Sequence, residues 1–179
     1  EAEQARKEDF DPPECFRVDL AGAVLNLAAW GVTVPENFRW LDVPAPLVMQ
    51  RAVNLLAALG ATEEDGSLTD TGKRMTAFPL PPRLARLMVA GQDEQCAVEL
   101  AAVAALMQGE GVAVKGGLND HLRDSADYTD FQAEWRAVEK AVDAGFGAAA
   151  CTRWGISSRG AREAWMAYRQ LLSVGSRGK

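Results

Sequence analysis

Four arginines, Arg153, Arg159, Arg162 and Arg169, are the residues of this sequence best suited to chemistry with a charged ligand. Arg159 and Arg162 stand three apart, so on a helix they share one face. Residues 151–179 hold six bases and one acid, a local charge of +5, on a chain whose net charge is −6. The acids gather just before them, eleven against four bases over residues 93–150. Guanidinium groups in such an array neutralise phosphates, whereas the acidic body argues against binding nucleic acid by general basicity. A run of arginines on a helix is also commonly just a solvated surface, and both readings stand.

Groups for covalent or hydrolytic chemistry are missing. A loop that cradles nucleotide phosphates closes on Gly-Lys-Ser/Thr, with an earlier Gly at fixed spacing. Gly72-Lys73 and Gly178-Lys179 lack both that earlier Gly and the following Ser or Thr. No Asp-Glu-x-His stands ready to hold magnesium, and the single His121, expected in a loop, offers no Ser or Cys a base for a nucleophilic triad. Cys15, Cys96 and Cys151 are widely spaced among apolar neighbours, which suits reduced core thiols rather than a disulfide framework or a metal site. Glu63-Glu64 falls in a turn, where solvent takes care of the charge. The sequence therefore predicts no catalytic residue, no cofactor and no metal in this chain. With 48% apolar and 25% charged residues it reads as globular. No apolar run approaches the roughly 18 residues of a membrane span, and no signal-peptide pattern opens the chain, so a cytoplasmic location is expected.

The elements that would position the arginines are almost all helical. Residues 1–12 are polar and aperiodic, a tail or linker. Asp11 and Glu14 are spaced as a capping box around Pro12-Pro13, and Phe16, Leu20, Val24 and Leu27 follow at helical spacing until Gly31 and Pro35. Asn37 to Asp42 reads as an extended connector or short strand. Ala45 to Leu59 is a second helix with Val48, Ala52, Leu55, Leu56 and Leu59 inward. The turn Glu63 to Gly66 then joins two short extended pieces into a small wing. Thr69 caps a short helix, and Phe78-Pro79-Leu80-Pro81-Pro82 makes a rigid joint before the next helix. These pieces predict a winged-helix domain over 13–79.

Everything beyond the joint reads as a helical bundle over 80–175, with a tail at 176–179. Leu84, Leu87 and Met88 mark one inner face, and Gly91 is expected to break that helix. Cys96 to Met107 is apolar nearly all round, the signature of a buried central helix. Residues 109–120 form a Gly-rich loop expected to be mobile. Thr129 and Gln132 suit a capping box ahead of the stripe Phe131, Trp135, Val138, Val142. Ala148 to Trp154 is a short helix, and Ser157 or Ser158 caps the last one, with Ala161, Trp165, Tyr168 and Leu172 inward. The aromatic stripes are core first and base-stacking platforms second.

Several of these residues carry a resemblance. Trp40-Leu41-Asp42-x-Pro44, Ala52-x-x-Leu55-Leu56-x-x-Leu59-Gly60-Ala61, Leu68-Thr69-x-x-Gly72, Met75 and Phe78-Pro79-Leu80-x-Pro82-Arg83-Leu84-Ala85 resemble the accessory region of DEAH/DExH-box helicases. Val18 to Ala21 and Leu27 to Val32 are most similar to the bacterial HrpB-like branch. Ser125, Asp127, Tyr128, Phe131, Trp135, Cys151 and Arg169-Gln170-Leu171 follow the later part of the pattern more loosely, and the loop 109–120 departs from it.

That resemblance implies a mostly α fold: a winged helix with a small β wing, then a ratchet-like bundle, from an ATP-dependent RNA helicase. It implies RecA-like motor domains upstream in the parent, where ATP and magnesium would bind, and residues 1–12 as the linker from them, so the chain is expected to be a fragment. The implied partners are those motor domains and single-stranded RNA, with no membrane and no metal. Two other classes remain open. A winged-helix DNA-binding regulator would use Lys73 and Arg74; a protein-docking scaffold would need no nucleic acid.

Overall fold

The computed structural model describes residues 19–109, 111–114, 117–124, 127 and 129–176. Within the described residues the secondary structure is helical, and no helix is long and apolar enough to cross a membrane. The chain divides into two compact units, residues 1–76 and 77–179.

In the first unit, α1 (Ala21–Ala29) starts where the Asp19 carboxylate accepts the Ala21 N–H at 2.9 Å. Leu20, Val24 and Leu27 are buried, as their spacing predicts, while Trp30 is 76% exposed. The expected part of this helix before Asp19, with the Asp11–Glu14 capping box, Phe16 and Cys15, lies outside the described residues, as does the linker 1–12. No strand follows. Pro35–Asn37 is a turn of 3-10 helix, and the Trp40 indole N–H closes over it onto the Pro35 carbonyl at 2.9 Å. α2 (Pro46–Ala58) buries Met49, Ala52 and Leu56. Its inward axis is thus turned from the predicted one, with Val48 and Leu55 half-buried at its flanks.

The expected wing is the main correction. No strand forms among the described residues; one antiparallel bridge, Thr62 with Leu68, stands where the wing was expected. The Glu63 N–H reaches the Ser67 carbonyl at 2.8 Å and the Thr69 N–H reaches the Ala61 carbonyl at 3.1 Å. Each arm is too short for a ladder, because Thr69 leaves it at once to cap α3 (Asp70–Met75). Its Oγ1 accepts the Gly72 N–H at 2.9 Å and donates to the Gly60 carbonyl at 2.6 Å. Gly72 is fixed by contact: a Cβ there would lie 2.0 Å from the Ala61 carbonyl oxygen.

The second unit opens with α4 (Pro82–Asp93), whose first residue is the proline expected there. Its buried line is Ala85, Met88 and Val89, with Leu84 and Leu87 half-buried. Gly91 does not break the helix. It is buried against the next one, where a Cβ would come within 3.2 Å of the Ala97 Cα. The chain leaves α4 instead at Gln95, whose φ is +59°. α5 (Ala97–Gln108) packs on α4, on α6 (Asp130–Asp143) and on α8 (Ser158–Ser176), the central position its composition predicts. It is not wholly enclosed, since Val98 and Met107 are 54% and 53% exposed.

Thr129 and Gln132 form the predicted capping box at the start of α6. Ser157, not Ser158, accepts at the start of α8, from the Gly160 N–H at 2.8 Å. Buried small residues, Ala133, Ala137 and Ala141 on α6 with Ala161 and Ala164 on α8, let these helices approach closely. The larger stripe residues therefore sit at the margin: Phe131, Trp135, Trp165 and Tyr168 are half-buried rather than central. Ser125 and Tyr128 lie outside the described residues, as do residues 177–179 of the tail.

Candidate nucleic-acid interface

Among the described residues of the second unit, two aromatic groups compete as a base-stacking surface, and their electrostatics separate them. Trp135 of α6 and Trp165 of α8 stack at 6.0 Å between ring centres, with Tyr168 4.7 Å and 5.3 Å from them. Burial pushes the Tyr168 phenol up from its ordinary pKa, and the Glu139 and Glu99 carboxylates push it the same way. A ring beside two carboxylates repels phosphate. This cluster ties α6 to α8.

The second group carries the opposite sign. α7 (Ala148–Trp154) ends on Trp154, a half-buried indole packed on the apolar cluster of Ala141, Cys151 and Ile156. The Lys140 ammonium lies 5.0 Å from the centre of that ring, and the Arg153 guanidinium 5.3 Å. Each is at cation–π distance. Nearby on the same apolar cluster, Phe146 has the Arg162 guanidinium 5.3 Å from its ring centre. Phe146 is held with φ at +60°, and its carbonyl accepts the Ser158 hydroxyl at 2.6 Å. Basic groups interleaved with partly open rings can take a phosphate backbone and stacked bases together.

The arginines singled out by the sequence fall as follows. Arg159, Arg162 and Arg169 lie on one exposed face of α8, with Met166, 64% exposed, between the last two. Arg159 is paired with Glu163 at 2.7 Å, both side chains largely in solvent, a contact worth under about 1 kcal/mol and easily exchanged for a phosphate. Arg153 is exposed on α7, apart from that stripe, and belongs with Trp154. Sequence reasoning missed Lys140, Trp154 and Phe146. The adjacent pair Arg153-Trp154 was a usable signal, but the approach of Lys140 is made between helices and has no trace in local spacing.

The Gly-rich loop expected to be mobile is fastened in its described part. The Val114 N–H reaches the Gly155 carbonyl at 3.0 Å and the Ser157 N–H reaches the Val112 carbonyl at 2.9 Å. His121, expected in a loop, stands instead in a turn of 3-10 helix, Asp120–Leu122, and lines a shallow cleft with Asn119, Thr152 and Arg153. Beyond the loop, Arg136 donates to the Leu122 carbonyl at 2.9 Å and pairs with Asp127. The Asp124 backbone N–H, with the Arg136 guanidinium next, holds the Asp127 carboxyl below the usual carboxylate range.

Residues 52–80, from α2 through the Thr69-capped α3 to Leu80, match the family model of the helicase-associated domain (HA2), winged-helix, so this part of the chain is similar to a domain that accompanies helicases.

Proposed function

We propose that this chain is an accessory module of a DEAH/DExH-type ATP-dependent RNA helicase of the bacterial HrpB-like branch. In this reading the first unit is a winged-helix spacer against the parent's RecA-like motor domains. The bundle of the second unit walls a channel for single-stranded RNA. ATP and magnesium belong to the motor domains, the compartment is the cytoplasm, and this chain by itself hydrolyses nothing. The match over residues 52–80 supports the helicase connection. The single observation that carries the RNA contact is the Trp154 ring with Lys140 and Arg153 at cation–π distance.

Reversing Arg159 and Arg162 to Glu in the full-length parent tests the role. RNA-stimulated ATPase should fall, and an unchanged rate would remove the exposed face of α8 from the RNA path. A second reading, a protein-docking scaffold, is favoured by the exposed apolar residues Trp30, Leu41, Val43 and Leu47, which are 76%, 98%, 72% and 62% exposed. A duplex-DNA regulator is disfavoured, because α3 has only six residues and its Lys73 is paired at 2.9 Å with Asp70 in the same helix.

A further inference from the structure

The last four carbonyls of a helix have no partner inside it. For α7 these belong to Cys151, Thr152, Arg153 and Trp154. The closing turn satisfies two of them: the Ile156 N–H reaches the Cys151 carbonyl at 3.1 Å, and the Gly155 N–H reaches the Thr152 carbonyl at 3.1 Å. Gly155 has φ +75°, and a Cβ there would lie 2.2 Å from the Gly117 carbonyl oxygen, so the loop runs in contact with this turn.

One residue of that loop serves both remaining carbonyls. The Asn119 side-chain Nδ2 donates to the Arg153 carbonyl at 3.1 Å, and its backbone N–H donates to the Trp154 carbonyl at 3.3 Å. The amide is oriented from its other end, where Oδ1 accepts the His121 N–H at 3.0 Å. An oxygen placed toward Arg153 would meet another oxygen, so only this orientation satisfies both ends. The two carbonyls that Asn119 holds belong to the two residues that present the guanidinium and the indole.

We infer that Asn119 is a positioning residue for the Arg153–Trp154 pair, acting from the loop on the backbone that aims both side chains. This rests on the reading of that pair as the RNA contact. A ring and a cation fixed before binding lose less freedom on meeting RNA, so loosening the turn weakens binding without removing a contacting group.

The test is a double-mutant cycle on the 179-residue chain, with binding to a fluorescein-labelled oligouridylate followed by anisotropy at low salt. Asn119→Ala should weaken binding about fivefold, the worth of one hydrogen bond. Its effect should largely vanish in the Arg153→Ala/Trp154→Ala background, which lacks both positioned side chains, and persist in full in the Arg169→Ala background. A merely structural role would weaken binding equally in both backgrounds, which would overturn the inference, as would unchanged binding by Asn119→Ala. Should Asn119→Ala lose its cooperative melt, Asn119→Ser replaces it. Its hydroxyl keeps a local bond to the His121 N–H but cannot reach Arg153, and the same cycle applies. Unchanged binding by both Arg153→Ala and Trp154→Ala would instead sink the RNA reading of the pair, and the inference with it.

Discussion

The Lys140 ammonium on α6 lies 5.0 Å from the centre of the Trp154 ring on α7, so a cation from one helix is set against the aromatic end of another. With Arg153 at 5.3 Å from the same ring, two positive charges share one half-buried indole in a chain that is acidic overall. A base stacking on such a ring gains dispersion, and its phosphates find both cations at hand.

Trp154→Ala should therefore weaken single-stranded RNA binding by about 1–3 kcal/mol, while Trp154→Phe keeps most of it. Anisotropy with a labelled oligouridylate measures this, and circular dichroism checks that the bundle still melts cooperatively. Equal binding by the Ala variant would mean that the ring serves only the core.

The exposed face of α8 makes a separate electrostatic prediction. Arg162→Gln and Arg169→Gln should each flatten the dependence of log affinity on log salt by about 0.7 if each contacts one phosphate. Arg159→Gln should do the same, because its pair with Glu163 at 2.7 Å lies largely in solvent and yields to a phosphate. A slope that ignores all three would assign the face to solvent.

Two glycines should respond to alanine very differently. At Gly72 the new Cβ would lie 2.0 Å from a backbone oxygen that cannot move without disturbing the Ala61–Thr69 hydrogen bond. We expect a loss of about 3 kcal/mol or more in the first unit. Gly60 has φ +67° but open space around its Cβ direction, so Gly60→Ala should cost about 1 kcal/mol. Urea unfolding followed by tryptophan fluorescence separates the two, and similar midpoints would contradict the close approach at Gly72.

The Asp127–Arg136 pair predicts acid sensitivity. The folded-state pKa of Asp127 is lowered, first by the Asp124 N–H and then by Arg136, so its contribution is present above the usual carboxylate value of about 4. It is lost as pH falls through the lowered value. Asp127→Asn should destabilise the bundle at neutral pH, with the gap to the parent chain closing in acid. Thermal melts between about pH 2 and pH 7 would show it, and a gap that widened in acid would reverse the sign.

Helix positions were legible where a single residue dictates local geometry. Thr69, Thr129 with Gln132, Pro82 and Ser157 each mark a helix start because capping and proline preferences act within one turn. Inward faces were read less well. Leu84 and Leu87 looked more apolar than Ala85, yet close packing of α4 favours the smaller side chain at its contact. Gly91 looked like a stop for the same reason that it is a contact: it has no side chain. The wing failed because bridge formation depends on partners across the turn, not on turn residues alone. At the interface, Arg153, Arg159, Arg162 and Arg169 could be named from charge. Lys140 over Trp154 and Asn119 beneath Arg153 could not, since both contacts join segments distant in sequence.

The most direct measurement compares the unsubstituted 179-residue chain with its Lys140→Glu/Arg153→Glu/Arg162→Glu variant for binding to single-stranded RNA and to duplex DNA across salt. The account predicts weak, steeply salt-dependent binding of the single strand, little binding of the duplex, and loss of the single-strand signal in the triple variant. Undiminished RNA binding by that variant, or tighter binding of the unsubstituted chain to duplex DNA, would contradict it.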